Sequence, residues 1–455
     1  MNNLVILGTG AALALVMCLL SFWQRKISEH QKRKTIEDIR EAKQRGTDRA
    51  VAQHPQIDPQ ACIGCGACIA ACPENQVLGL VDGIAHVIHG SRCIGHGLCA
   101  TDCPVAAIKI GLGNVSERTD LPILTERLET TVPGVYIAGE LGGFALVRLA
   151  VGQGVQAVDQ IARELRPSRS RSVLDLLIVG AGPAGLGASL KAVEHGLKYA
   201  TIDQQDIGGT VRKYPRRKLT LVGKLDLPLY GPVNRDEYQK EELIAFWEQL
   251  IDRYELKIHT GIKLLDIERQ RDALAVRTSH GEVRARRVLL ALGRRGSPRK
   301  IGVPGEESEK VLYQLIDTAT YANEHILVVG GGDSAVEAAI GLASQPGNVV
   351  TLSYRRADFF RLKPRNERRI EECRLDGKVR ILFNSNVQSI ETGSVVLSYS
   401  ENGIERTSTI KNDYSFVLAG GEPPYSLLRN IGVQFGGDGG HEVSVTTSAA
   451  LEPIR

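Results

Sequence analysis

Three observations predict a chain of several α/β domains. Two segments read strand, glycine-rich turn and helix, with first glycines at Gly180 and Gly330; seven cysteines fall between Cys62 and Cys103; and residues 4–23 are twenty in a row without a charge. The paired segments give two doubly wound domains, the cysteines a small α+β domain ahead of them, and the apolar run one transmembrane helix. A length of 455 residues, 43% apolar and 24% charged, excludes a disordered or fibrous chain and fits roughly two to four folded domains. The net charge of +4, from 56 basic and 52 acidic side chains, carries no general affinity for nucleic acid.

The run LVILGTGAALALVMCLLSFW has the length to cross a bilayer core of about 30 Å as a helix. No basic residue precedes it, as one would in a cleaved signal peptide, while Arg25, Lys26, Lys32, Arg33 and Lys34 follow. The expectation is a single-pass anchor over 1–23 in the cytoplasmic membrane, with the N-terminus outside and the catalytic body in the cytoplasm. Residues 24–54 read as a solvated, basic helical stalk. They hold nine Lys/Arg against five Asp/Glu, which is the whole +4 and suits an anionic leaflet.

The first cysteine run is Cys62-x2-Cys65-x2-Cys68-x3-Cys72-Pro73, a spacing that wraps a cuboidal iron–sulfur cluster with three thiolates and directs the fourth to a second cluster. The second run, Cys93-x2-His96-x2-Cys99-x3-Cys103-Pro104, repeats the spacing with a histidine in the second place. A structural zinc site is the alternative, but zinc favours four ligands in separated pairs. Together the runs resemble the bacterial two-cluster ferredoxin family over residues 55–113. The resemblance implies two 4Fe-4S clusters in a crossed pattern, one on Cys62, Cys65, Cys68 and Cys103, the other on Cys93, Cys99 and Cys72. Two roles are open for His96: a ligand through an imidazole nitrogen, or a side chain turned away from a three-iron cluster. Cys18 and Cys373 stand apart and read as packing residues.

LDLLIVGAGPAGLGASLKAVEHG places Gly180, Gly182 and Gly185 where a Rossmann-type turn needs sharp bending and close approach to a pyrophosphate. Asp203, ending the next strand, suits a ribose. HILVVGGGDSAVEAAIGLA repeats the pattern with Gly330, Gly332 and Ala335. There the ribose-reading acid is replaced by Ser353, with Arg355 and Arg356 beyond it, which suits a 2'-phosphate and therefore NADP over NAD.

Two such turns, with RVLLALGRRGSPRKIGVPGEE between them and FVLAGGEPP after, resemble the two-dinucleotide flavoprotein family that includes thioredoxin reductase, over residues 173–437. The resemblance implies FAD on Gly180, Gly182, Gly185, Asp203, Gly208 and Gly209, in a domain made of 173–296 and 413–455 around a NADP domain at 297–412. GGTVRKYPRRKLTLVGKLDLPLYG is more similar to the bacillithiol-disulfide reductase branch. Two departures stand out. The second domain has Cys373 but no Cys-x-x-Cys, and Ala184 occupies the place where that branch has a cysteine, so a dithiol mechanism lacks its nucleophile.

Such flavoproteins close with a strand, a Gly-Asp motif and a helix, whereas this chain stops at TTSAALEPIR. The missing piece stands upstream as TTVPGVYIAGELGGFALVRLAVGQGVQAVDQIARELR, with Gly139 and Glu140 in the Gly-Asp places. The expectation is a circularly permuted FAD domain in which 119–166 is the displaced closing piece, joined through the RPSRSRS linker. An extension of the cysteine domain is the alternative.

A nicotinamide gives up two electrons together and an iron–sulfur cluster takes them singly, so a flavin is needed between them. The expected function is an NAD(P)H-dependent flavin/iron–sulfur oxidoreductase that exchanges electrons with an external electron-transfer protein or quinone-linked partner at the membrane. Flow in either direction is allowed, and no catalytic side chain is required. The rivals are a disulfide or small-molecule reductase fed through the clusters and a non-catalytic redox sensor or scaffold. A homodimer is implied by the flavoprotein resemblance.

Overall fold

The computed structural model describes residues 2–50, 52–74, 76–112, 118–165, 172–360, 362–401 and 403–437. They form two compact units that divide between Gly111 and Leu112.

The first unit opens with the helix Asn2–Arg45. Among the described residues no helix is long and apolar enough to cross a membrane. This overturns the single-pass anchor over 1–23, the N-outside orientation and the membrane location. The stalk expectation is corrected too, because the helix lies on the cysteine domain. Ala42 and Thr47 are buried, Thr47 Oγ donates to Ala42 O (3.3 Å), and the same hydroxyl bonds His89 Nδ1 (2.8 Å). A polar helix can dock here because its contact residues are small and the facing hairpin presents Gly79, where a Cβ would sit 2.8 Å from Thr35 Cγ2.

Around the cysteines, strand His54–Ile57 pairs antiparallel with Ile108–Gly111, and Leu78–Val81 with Ile84–Val87. Each cysteine loop leads through a left-handed glycine, Gly66 (φ 75°) or Gly97 (φ 89°), into one short helix, Ala67–Ala70 or Leu98–Thr101. Cys68 and Cys99 on those helices pack with Val77, Leu78, Ala85 and Ile108 into the unit's core.

In the second unit, the first sheet runs Ile258–His259, Tyr199–Ile202, Leu174–Val179, Gly281–Leu290, Leu274–Thr278, Leu264–Arg269. The long strand Gly281–Leu290 serves two neighbours in turn, pairing antiparallel with Leu274–Thr278 at its start and parallel with Leu174–Val179 towards its end. At that end the upstream strand Val135–Ile137 also pairs parallel to it, Val288 opposite Val135 and Leu290 opposite Ile137. All three residues of the upstream strand are buried, so 135–137 belongs to this sheet's core. The helix that follows, Val147–Glu164, crosses Pro183–Glu194 with almost no side chain between them. A Cβ on Gly154 would lie 2.0 Å from Ala184 O, and one on Gly187 would lie 2.8 Å from Val151 O.

The second sheet is parallel, in the order Val311–Leu312, Tyr414–Val417, His325–Val329, Val349–Ser353, Val379–Leu382, with an antiparallel trio at Ser385–Ile390, Ser394–Glu401 and Ile404–Lys411. The return drawn at 413 therefore comes later, because Tyr414–Val417 is a strand of the second sheet. The chain crosses between sheets through Ser297–Pro298 and Gly421–Glu422, paired antiparallel. Gly296 and Gly421 permit the crossing, since a Cβ on either would stand 1.7 Å from a backbone oxygen of the other connection. Most of the linker and the C-terminal TTSAALEPIR lie outside the described residues.

Gly154→Ala should cost about 2–3 kcal/mol, because a methyl group cannot be placed against a backbone oxygen without parting the helices. The denaturant midpoint checks this, with exposed Gly377→Ala as the control, whose Cβ meets nothing but whose φ of 69° makes its penalty purely conformational.

Candidate functional site

The first glycine turn is built by contact distances. Gly180 (φ 114°) has no room for a Cβ against Ala291 O (2.3 Å), and Gly185 has none against Gly180 O (1.8 Å), which draws the helix Pro183–Glu194 onto its strand. Gly182 precedes Pro183 at the first helical position, so the free amides of that helix end face outward over the turn. The loop at Gly208 and Gly209, both with positive φ, folds over it: Gly208 N–H donates to Ala181 O (2.8 Å), and a Cβ on Gly209 would meet Gly182 Cα at 3.1 Å.

Above this turn lies a cavity of ≈ 390 Å³ that brings Gly180, Gly182, Asp203 and Gly209 together with Gly139 and Glu140. Gly185 and Gly208 stand behind the wall and shape it. Asp203 is held by two backbone donors, Ala181 N–H at 2.7 Å and Gln205 N–H at 2.8 Å. A carboxylate has about four acceptor positions, so two remain for a ligand. Gly139 (φ 85°) fits against Ala184, and its N–H is held by buried Gln153 Oε1 at 2.8 Å. Burial pushes the Glu140 carboxyl up, opposed by the charges of Arg294 and Arg295 and by the Arg294 N–H. Tyr214, on the same wall, is also raised by burial and then by Glu140. Gln153, Gly154 and Tyr214 were not singled out in the sequence; small residues at helical spacing across 150–157 were the available signal.

At the second turn, Gly330 packs on Leu418 O and Ala335, and Gly332 leads into the helix Asp333–Ala343. Gly331, unremarked in the sequence, is required there because a Cβ would enter the Tyr354 ring at 2.2 Å. Ser353 stands where the ribose-reading acid would be and is buried. Its side chain points into the core, where Oγ bonds Ser385 Oγ at 2.9 Å, because successive strand residues face opposite ways. Arg355 and Arg356 just beyond are exposed, and the Arg356 guanidinium lies 3.9 Å over the Phe360 ring.

In the first unit, a small cavity is lined by Cys72 of the first run together with Cys93, His96 and Cys99 of the second. Burial pushes the Cys99 thiol up to about 12, helped by Cys93, Cys72 and Cys68. Cys68 is raised by burial and then by Cys62 and Cys65, which places those three thiols as neighbours. Cys62 Sγ accepts from Ala85 N–H (3.5 Å), and Cys103 Sγ from Ala107 N–H (3.2 Å). Among the described residues no three His, Cys, Asp or Glu side chains converge as the shell of a single metal ion does.

Residues 177–450 match the family model described as pyridine nucleotide-disulphide oxidoreductase. The chain belongs to that family. It is accordingly a flavin oxidoreductase, with FAD and NADP(H) as the family's cofactors. Residues 54–104 match a second model, a 4Fe-4S dicluster domain. A ferredoxin–NADP reductase of Ignicoccus hospitalis is 27% identical over 270 residues, 58% of this chain and 82% of that protein. The bacilliredoxin reductase Bdr of Bacillus subtilis is 25% identical over 263 residues, 57% and 80% respectively. The same fold occurs in the bacillithiol disulfide reductase of Bacillus cereus, with TM-score 0.51 at 24% identity over 57% of this chain and 82% of that one. Against that likeness, no described cysteine lines the cavity above the first glycine turn, and Cys373 packs into the second core from the helix Pro364–Leu375.

Ser353→Ala should leave the NADPH-to-NADH preference unchanged and cost about 1 kcal/mol of stability, since it breaks a buried hydroxyl pair and touches no nucleotide. Steady-state kinetics with both nucleotides and a denaturant series check the two halves.

Proposed function

We propose that this oxidoreductase passes electrons between NADPH, FAD and two iron–sulfur clusters, to or from an external redox protein. One observation carries the reading: the cavity that gathers Gly139, Glu140, Gly180, Gly182, Asp203 and Gly209 has no cysteine in its described wall, in a chain that also bears a 4Fe-4S dicluster domain. FAD held at this site would supply the exchange between paired and single electrons that a nicotinamide and an iron–sulfur cluster require.

The protein's own part is binding and placement. The turn at Gly180, Gly182 and Gly185 and the helix end at Pro183 offer backbone amides to a pyrophosphate. Asp203, already oriented by two amides, accepts from ribose hydroxyls, and Gly208 and Gly209 cover the turn. Glu140 offers a half-buried carboxyl to the ribityl side. Gly330, Gly332 and Ala335 form the nicotinamide-nucleotide turn, with Arg355 and Arg356 for the 2'-phosphate. Cys62, Cys65, Cys68 and Cys103 serve one cluster, and Cys72, Cys93 and Cys99 the other, beside His96. The grouping of Cys72 with Cys93 and Cys99 around one cavity supports the crossed pattern.

Residues 119–166 serve as the closing piece of the FAD domain in a circular permutation. The pairing of Val135–Ile137 with Val288–Leu290 and the crossing of Val147–Glu164 over Pro183–Glu194 support it. Moving 119–166 behind the C-terminus should then yield a chain that keeps its flavin, measured by absorbance per protein. A chain rearranged in this way that folds but loses flavin overturns the permutation.

On anaerobic mixing with NADPH, the flavin should bleach first and paramagnetic signals of reduced clusters should follow. Clusters that stay oxidised beside a reduced flavin would favour a small-molecule reductase. Replacing Arg355 and Arg356 together by Ala should reduce the NADPH-over-NADH preference in kcat/KM about 100-fold, two charge-assisted bonds' worth.

A further inference from the structure

We propose that His96 does not ligate iron but donates a hydrogen bond from Nε2 to the Cys72 sulfur, leaving the second cluster site three protein thiolates and one iron position open to an added thiolate. The inference rests on the two-cluster reading above. Leu98 N–H donates to His96 Nδ1 at 3.0 Å. A backbone amide can only donate, so Nδ1 holds a lone pair there and the one proton of the neutral ring sits on Nε2. Nε2 in turn faces Cys72 Sγ at 3.9 Å. A ring nitrogen that carries a proton has no lone pair for a metal. Ligation through Nε2 would shift the proton to Nδ1 and set two N–H groups head to head; ligation through Nδ1 would break the Leu98 bond.

The backbone holds this arrangement in place. Gly97, left-handed at φ 89°, turns the Leu98 N–H back towards the ring, and Gly66 (φ 75°) makes the same turn after Cys65 in the first run. The two loops thus match in backbone and differ in the side chain that fills the second place, a thiol in one and a ring with its acceptor nitrogen already engaged in the other. His96 lines the same cavity as Cys72, Cys93 and Cys99, so its N–H reaches the sulfur side of the site. Hydrogen bonds to cluster sulfurs are among the factors that set the reduction potential, and this one raises it. An added thiol binds the open iron position as the thiolate, its proton passing to solvent, with no change in oxidation state.

The test uses the full chain reconstituted anaerobically with iron and sulfide, as wild type, His96→Ala, His96→Gln and His96→Cys, with ethanethiol as the probe. Pulsed paramagnetic resonance of the reduced protein should show no strong imidazole-nitrogen coupling. Ethanethiol should change the Mössbauer signal of the second cluster in wild type and His96→Ala but not in His96→Cys, where a fourth thiolate fills the position. The potential of the second cluster should fall in His96→Ala and recover in His96→Gln, whose amide can donate to the same sulfur. Strong nitrogen coupling in wild type that disappears in His96→Ala overturns the inference and leaves the two-cluster reading intact. Iron and sulfide sufficient for only one cluster overturn the two-cluster reading, and this inference with it.

Discussion

The helices Val147–Glu164 and Pro183–Glu194 cross with backbone against backbone, and the geometry of the cavity above the first glycine turn depends on that crossing. Gly154 and Gly187 let Ala184 O and Val151 O into the space where side chains would otherwise stand. With the helices this close, Gly139 fits against Ala184, and Gln153, one residue before Gly154, reaches the Gly139 amide. The wall carrying Glu140 is thereby fixed opposite the turn carrying Gly180 and Gly182. Packing of this density transmits any added methyl group as a displacement of backbone, because no loosely held side chain stands between to absorb it.

Much of the site was legible in the sequence wherever residue type answers a local demand. Gly180 and Gly185 have no alternative when a carbonyl stands within 2.3 Å of their missing Cβ, and the turn spacing shows this without any knowledge of the partner strand. The two cysteine runs were legible for the same reason. Matters of facing and reach were not. Ser353 occupies the expected place along its strand, but the pairing of its hydroxyl with Ser385 in the core is a long-range contact that appears only in the folded chain. Tyr414–Val417 reads like a closing strand of the first domain, yet it pairs with His325–Val329, which only the long-range register reveals. The charged stretch at 24–54 lacks an apolar stripe; it docks through Thr35 and Ala42 because the opposing hairpin offers a glycine.

The core of the first unit is built around its cysteines. Its thiols take the places that aliphatic side chains would hold, packing against Val77, Leu78 and Ile108, and burial makes the bare thiols reluctant to ionise. Backbone amides at Ala85 and Ala107 point at sulfur. Such donors favour the ionised form that iron requires, so the same fold that disfavours free thiolates is arranged to receive bound ones.

The strand Val135–Ile137 has a consequence for how the chain is made. Its partner Val288–Leu290 is completed 153 residues later, roughly 8–30 s of synthesis at ~5–20 residues per second. During that interval three residues destined for full burial have no sheet to join, and the helix after them, with its bare glycine face, has nothing to cross until Pro183–Glu194 emerges. The nascent chain therefore carries this strand without its sheet partner for about a third of its length.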